Sequence, residues 1–142
     1  SLSCFLAQKI VKIDDCLVYR RIMDDSLTLN RNDENVFEAL LELKENLEKQ
    51  GIYEKLEKDF KLVAMQSIVH YYGMIKEKNK RFLIFKAIKE YEKDFHILAL
   101  GNVIKEYTKD FEIYKRAVLV NSFLSFRIQL KLFGLKKEND IV

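Results

Sequence analysis

The chain has no proline, and its four glycines (Gly51, Gly73, Gly101, Gly134) stand at least 22 residues apart in 142 residues. At an average proline usage near 5%, about seven prolines would be expected in a chain of this length. A sequence that avoids both punctuators has few tight turns to make. It does not fit a many-stranded sandwich or barrel, a collagen, or a proline-rich linker. Apolar residues make up 49% of the chain, enough to build a core, and a body of this size buries on the order of 70% of the surface its unfolded chain exposes. The expected fold is mainly α: four to five helices in a bundle-like body, with a short β-like segment near the N-terminus.

That segment is Ile13–Tyr19, rich in branched and aromatic residues, after a short helix over residues 3–11. Residues 20–33 are polar and turn-forming, with Asp24, Asp25, Ser26, Asn30 and Asn32. Asn32 or Asp33 is placed to cap a helix running to about Gln50. Its stripe is Val36, Leu40, Leu43 and Leu47, widened by Phe37 and Leu41. Gly51 follows as a left-handed stop. A second helix is expected over about Tyr53–Lys78, with Leu56, Phe60, Val63, Ser67, Tyr71 and Met74 on one face. A third is expected over about Lys80–Lys93, with Phe82, Phe85, Ile88 and Tyr91. Residues 95–101 read as a connector and Val103–Lys109 as a short helix. Asp110 then caps one long helix to Phe133, stopped by Gly134, and residues 135–142 read as a frayed end. The organisation divides into residues 1–33, a small mixed element, and residues 34–142, a helical domain.

The formal charge is +3, too weak to indicate a nucleic-acid partner. Its distribution is uneven. Residues 33–60 hold nine acidic and four basic side chains, a net of −5, and residues 110–137 hold two and six, a net of +4. Within the last helix, Arg116, Arg127 and Lys131 fall within about 60° at 100° per residue. They lie beside Ala117, Val118, Leu119, Leu124, Phe126, Ile128, Leu130, Leu132 and Phe133. A basic stripe beside an apolar face suits first a bundle helix with one wet side, and second a helix lying on an anionic membrane or phosphate surface. The uncharged run 117–126 is ten residues, and crossing a bilayer takes about 20. Cys4 and Cys16 make no disulfide scaffold, and residues 1–11 have no signal-peptide pattern, so a cytoplasmic location is expected, at the inner face of the membrane if the last helix meets lipid.

Chemistry-bearing constellations are sparse. His70 and His96 have no cysteine or Glu-x-x-His partner at metal-ligand spacing. Widely spaced glycines form no phosphate loop, and no Gly-x-Ser-x-Gly elbow is present. Asp14-Asp15 and Asp24-Asp25 read as structural pairs. No catalytic and no metal residue is assigned.

One run is more specific: Leu17-Val18-Tyr19-Arg20-Arg21-Ile22-Met23-Asp24-Asp25-Ser26-Leu27-Thr28. It resembles the segment late in bacterial family 2 glycosyltransferases of the capsule and lipopolysaccharide type. There an apolar strand ends in an aromatic-Tyr-Arg run followed by Ser-apolar-Thr. Residues 36–47, Gly51-Ile52-Tyr53 and Asp59-Phe60 resemble the helical tail of the same enzymes, so that the likeness covers roughly residues 4–75. It implies that the chain is the C-terminal part of such an enzyme and is inactive alone, with residues 1–33 the remnant of the catalytic domain's last helix, strand and Tyr-Arg loop and residues 34–142 the C-terminal helical domain. The Asp-x-Asp motif, its divalent metal, the nucleotide-sugar and the acidic base would belong to a missing N-terminal nucleotide-sugar domain. Tyr19, Arg20, Arg21, Ser26 and Thr28 are the residues it places near substrate, with Arg20 or Arg21 suited to pyrophosphate. Here Ile22-Met23-Asp24 stands where some relatives carry a metal-binding histidine. The tail would complete the fold, and it leaves open acceptor binding, homo-oligomerisation or membrane-surface docking. Two readings from other classes stand beside it: a stand-alone helical interaction module and a peripheral membrane anchor.

Overall fold

The computed structural model describes residues 35–101 and 105–134. The expected helix over 3–11, the β-like segment Ile13–Tyr19, the cap at Asn32 or Asp33 and the tail 135–142 lie outside these residues. The described residues form five α-helices and two 3-10 turns, with no strand among them. The helices are α1 (Asn35–Lys49), α2 (Tyr53–Met74), α3 (Lys78–Phe95), α4 (Thr108–Leu119) and α5 (Phe123–Leu132). The 3-10 turns are Ile97–Leu100 and Lys105–Tyr107, the latter where a short helix over Val103–Lys109 was expected.

α1 carries the expected stripe. Phe37, Leu40 and Leu47 are buried, and Val36, Leu41 and Leu43 pack against them. It ends as its glycine dictates. Gly51 takes φ +69°, its N–H donates to Glu48 O (2.9 Å), and Ile52 N–H donates to Leu47 O (3.1 Å). These two bonds satisfy carbonyls that the helix end leaves open. A Cβ on Gly51 would meet nothing within 4 Å, so only backbone conformation opposes a substitution. Gly51→Ala is expected to cost about 1 kcal/mol in chemical denaturation.

α2 is the central helix, and its buried face differs from the expected one. The core takes Phe60, Lys61, Ala64, Met65, Ile68, Val69, Tyr72 and Gly73, whereas Val63 and Met74 are exposed. Apart from Phe60, the observed stripe has the expected period displaced by one residue, which turns the face by 100°. Lys61 is tolerated there because its ammonium donates to Glu57 Oε1 (2.5 Å) while its stem packs against the core. The same bond holds the Glu57 carboxyl below the usual carboxylate range. α2 stops at Met74 rather than near Lys78. Ile75 is extended, and its carbonyl accepts from Arg81 Nε. α3 accordingly begins earlier and ends later than the spacing predicts. Ile84, Phe85, Ile88 and Phe95 are buried, Phe82 is exposed and Tyr91 is half-buried.

The single long helix over 110–133 is not formed. The chain breaks at Val120-Asn121-Ser122 into α4 and α5. Val120 is extended, its carbonyl accepts from Lys89 Nζ, and the extended Ser122 caps α5 by accepting from Ser125 N–H (3.4 Å). α4 starts at Thr108, so Asp110 sits in its first turn and is not its cap.

α2 and α3 run antiparallel: Phe60, early in α2, meets Phe95 at the end of α3 (ring centroids 5.9 Å). α1 sits at that end, with Phe37 stacked on Tyr91 (5.0 Å) and Lys44 Nζ donating to Asp94 O (2.7 Å). α5 sits at the other end, where Phe126 meets Tyr72 (5.7 Å) and stacks on Phe85 (5.2 Å).

Candidate functional site

The face of α3 that α1 leaves uncovered carries Lys78, Phe82, Phe85, Lys86 and Lys89, spaced i, i+4, i+7, i+8 and i+11. That spacing gathers all five within about 100° of arc. Opposite them the break between α4 and α5 presents Asn121, Ser122, Phe123 and Leu124. The two sides enclose an open groove of about 680 Å³. Its walls hold three lysines and no acidic side chain.

The floor is aromatic. Phe123 meets Phe82 edge-on (5.6 Å) and lies against Phe85 (5.5 Å). Cations sit over these rings: Lys86 Nζ 5.7 Å from the Phe82 centroid, Lys89 Nζ 4.9 Å from Phe85, and Arg127 5.9 Å from Phe123. Such contacts hold charge at an apolar surface at little desolvation cost. The first N–H groups of α5 have no partner within the helix, and they add positive potential at the groove's end. The arrangement suits an anionic, partly apolar contact.

The strongest convergence of polar groups lies elsewhere. Glu92 Oε1 accepts from Leu98 N–H (2.9 Å), and its Oε2 accepts from Ile97 N–H (3.1 Å) and Tyr114 O–H (2.8 Å). The carboxylate thus caps the 3-10 turn that follows α3 and ties it to α4. Above it His96 takes the left-handed conformation (φ 49°) that closes α3. Burial, with the Glu92 charge and hydrogen bond adding to it, pushes the Tyr114 hydroxyl far above its ordinary range. These groups are spent on one another and hold the fold.

Of the basic residues singled out in the sequence, the break separates Arg116 from Arg127 and Lys131, so the three do not form one stripe on one helix. Arg116 braces α4 against α5: its Nη1 donates to Gln129 Oε1 (2.9 Å) and its guanidinium lies over the Phe133 ring (4.1 Å). Arg127 and Lys131 remain together on α5. Tyr19, Arg20, Arg21, Ser26 and Thr28 lie outside the described residues. Sequence reasoning missed the groove lysines, although their helical spacing on α3 carried the signal. It also missed Glu92, which nothing in its neighbourhood marks.

No family model matches the chain, and neither a curated protein nor a solved structure does. No described helix is long and apolar enough to cross a membrane, and the described residues contain no group of three His, Cys, Asp or Glu side chains able to hold a metal.

Proposed function

We propose that this chain, inactive alone, is the C-terminal part of a sugar-nucleotide-dependent glycosyltransferase of the family 2 kind, in which residues 35–134 complete the fold and border the acceptor side. The observation that carries the reading is an order of features. An apolar stretch ending in Tyr19-Arg20-Arg21 is followed by Ser26-Leu27-Thr28 and then by two helices parted at Gly51. In the whole enzyme Arg20 or Arg21 pairs with the donor pyrophosphate through its guanidinium fork. The divalent metal of that family has no fitting ligand cluster among the described residues, and none of its chemistry is assigned to them.

The reading frame upstream of Ser1 tests this. An Asp-x-Asp motif followed by an acidic pair is expected there. The enzyme that frame encodes should transfer labelled sugar, and should lose that activity when residues 35–142 are removed. A start codon immediately before Ser1, or nucleotide-sugar turnover by the 142 residues alone, would overturn it.

A further inference from the structure

α5 is apolar on two opposite sides. Phe126 and Leu130 are buried against the body. About half a turn round the helix, Leu124, Ile128 and Leu132 follow one another at i, i+4 and i+8, with relative exposures of 65%, 48% and 76%. One apolar side seats the helix on its own protein, and a second, exposed one calls for another apolar medium. Arg127 and Lys131 line one edge of this stripe at helical spacing, and α5 has no acidic residue. Leu124 also lines the groove, so the stripe runs on into the surface that carries Lys78, Lys86 and Lys89.

The acidic helix of the molecule lies away from this surface. α1, with Glu38, Glu42, Glu45 and Glu48 against Lys44 and Lys49, lies at the Tyr53, Tyr91 and Asp94 end of the α2–α3 pair. α5 lies at the Tyr72 and Phe85 end. With α2 about 33 Å long at 1.5 Å per residue, the acidic and basic ends are well separated.

We propose that α5 docks this body on an anionic lipid bilayer. Leu124, Ile128 and Leu132 enter the interface, Arg127, Lys131, Lys78 and Lys86 lie among headgroup phosphates, and the acidic α1 end faces away. Ten residues span about 15 Å, half of a hydrocarbon core, so the helix lies in the interfacial plane and does not cross. A second copy of the chain fits the surface less well. Three aliphatic side chains cover far less than the roughly 800 Å² per partner of a stable interface. A two-fold contact through them would also bring Arg127 and Lys131 near their own copies. The proposal rests on residues 78–132 and stands whether or not the glycosyltransferase reading does.

Vesicle flotation of the 142-residue chain tests it. Binding is expected to phosphatidylglycerol-containing vesicles at low salt, and at least ~10-fold more weakly to phosphatidylcholine alone. Ile128→Asp, and the pair Arg127→Glu with Lys131→Glu, should each weaken binding at least ~10-fold. Circular dichroism should be unchanged, because these side chains are not in the core. The chain has no tryptophan, so Ile128→Trp supplies a single indole. Its emission should shift to the blue on adding the anionic vesicles, and that of Glu42→Trp on α1 should not. Failure to float with anionic vesicles, or flotation indifferent to Ile128→Asp, would overturn the proposal. So would release by inorganic phosphate at matched ionic strength, which would mark the groove as a phosphate site. A dimer that Ile128→Asp dissociates, seen without flotation, would assign the stripe to self-association instead.

Discussion

Phe60→Ala is expected to lower the unfolding free energy by about 3–5 kcal/mol. Phe60 is fully buried where α2 meets α3. Its ring lies edge-on to Tyr53 (5.7 Å) and Phe95 (5.9 Å). Phe95 stacks on Tyr91 (5.7 Å), and Tyr91 stacks on Phe37 of α1 (5.0 Å). Removing the ring takes away the burial of an aromatic side chain and its edge contacts. The space left is walled by rigid rings from different helices, which cannot close it by changing rotamers, so the cavity cost is retained. Against a total stability of about 5–15 kcal/mol, the loss is a large fraction of the whole. Melting followed by circular dichroism should shift down by about 10–17 °C. In urea the midpoint should fall with an unchanged slope, since the same surface is exposed on unfolding. Phe82→Ala makes the contrast: its ring is exposed and touches Phe123 from one side, so its cost should stay below about 1.5 kcal/mol. A Phe60→Ala loss under about 1 kcal/mol would mean that the aromatic ladder is not the core of the α1–α3 body.

What could be read from the sequence follows how local each cause is. The end of α1 was legible because a single residue determines it: Gly51 can take φ +69° and its neighbours cannot without strain. The mainly α body and the α1 stripe were legible for a similar reason, since periodicity within one segment sets them. The face of α2 was not. That helix is apolar over most of its circumference, so two stripes one residue apart have nearly the same hydrophobicity. Packing against several other elements chose between them. The link between α2 and α3 contains neither glycine nor proline, and Arg81 holds it by reaching back to the Ile75 carbonyl. The break between α4 and α5 had a local mark in Ser122, a good cap. Its cause is tertiary all the same, since Lys89, on a different helix, takes the Val120 carbonyl that a continuous helix would have bonded. The groove inherits this limit: its α3 side can be read from spacing, but its α5 side exists only because the helix breaks. The candidate residues from Tyr19 to Thr28 rest on resemblance and lie outside the described structure.

Glu92→Ala is expected to cost roughly 3–5 kcal/mol, and Glu92→Gln about 2 kcal/mol. In the sequence Glu92 sits between Lys89-Glu90 and Lys93 and looks like one more solvated charge. In the fold its carboxylate is the acceptor for three donors, Ile97 N–H, Leu98 N–H and Tyr114 O–H. Alanine leaves all three without it, with Tyr114 fully buried. Glutamine keeps one accepting oxygen and turns the other position into a donor, so at least one of the three loses its partner. Tyr114→Phe removes the orphaned hydroxyl together with its bond. The double variant Glu92→Gln with Tyr114→Phe should therefore be less destabilised than the sum of the single ones, by about 1–2 kcal/mol in a double-mutant cycle. Strict additivity would mean that the two groups do not act together. The pH dependence gives a second readout. Burial keeps the folded Tyr114 hydroxyl protonated well above pH 10, whereas in the unfolded chain it ionises near 10. Below pH 10 both states hold the proton and the group adds no pH dependence. Above it only the unfolded state releases the proton, so stability falls by about 1.4 kcal/mol per pH unit from this group. Tyr114→Phe should flatten the alkaline limb by that slope and leave the neutral limb parallel to that of the unaltered chain. An alkaline slope indifferent to Tyr114→Phe would place the ionising group elsewhere.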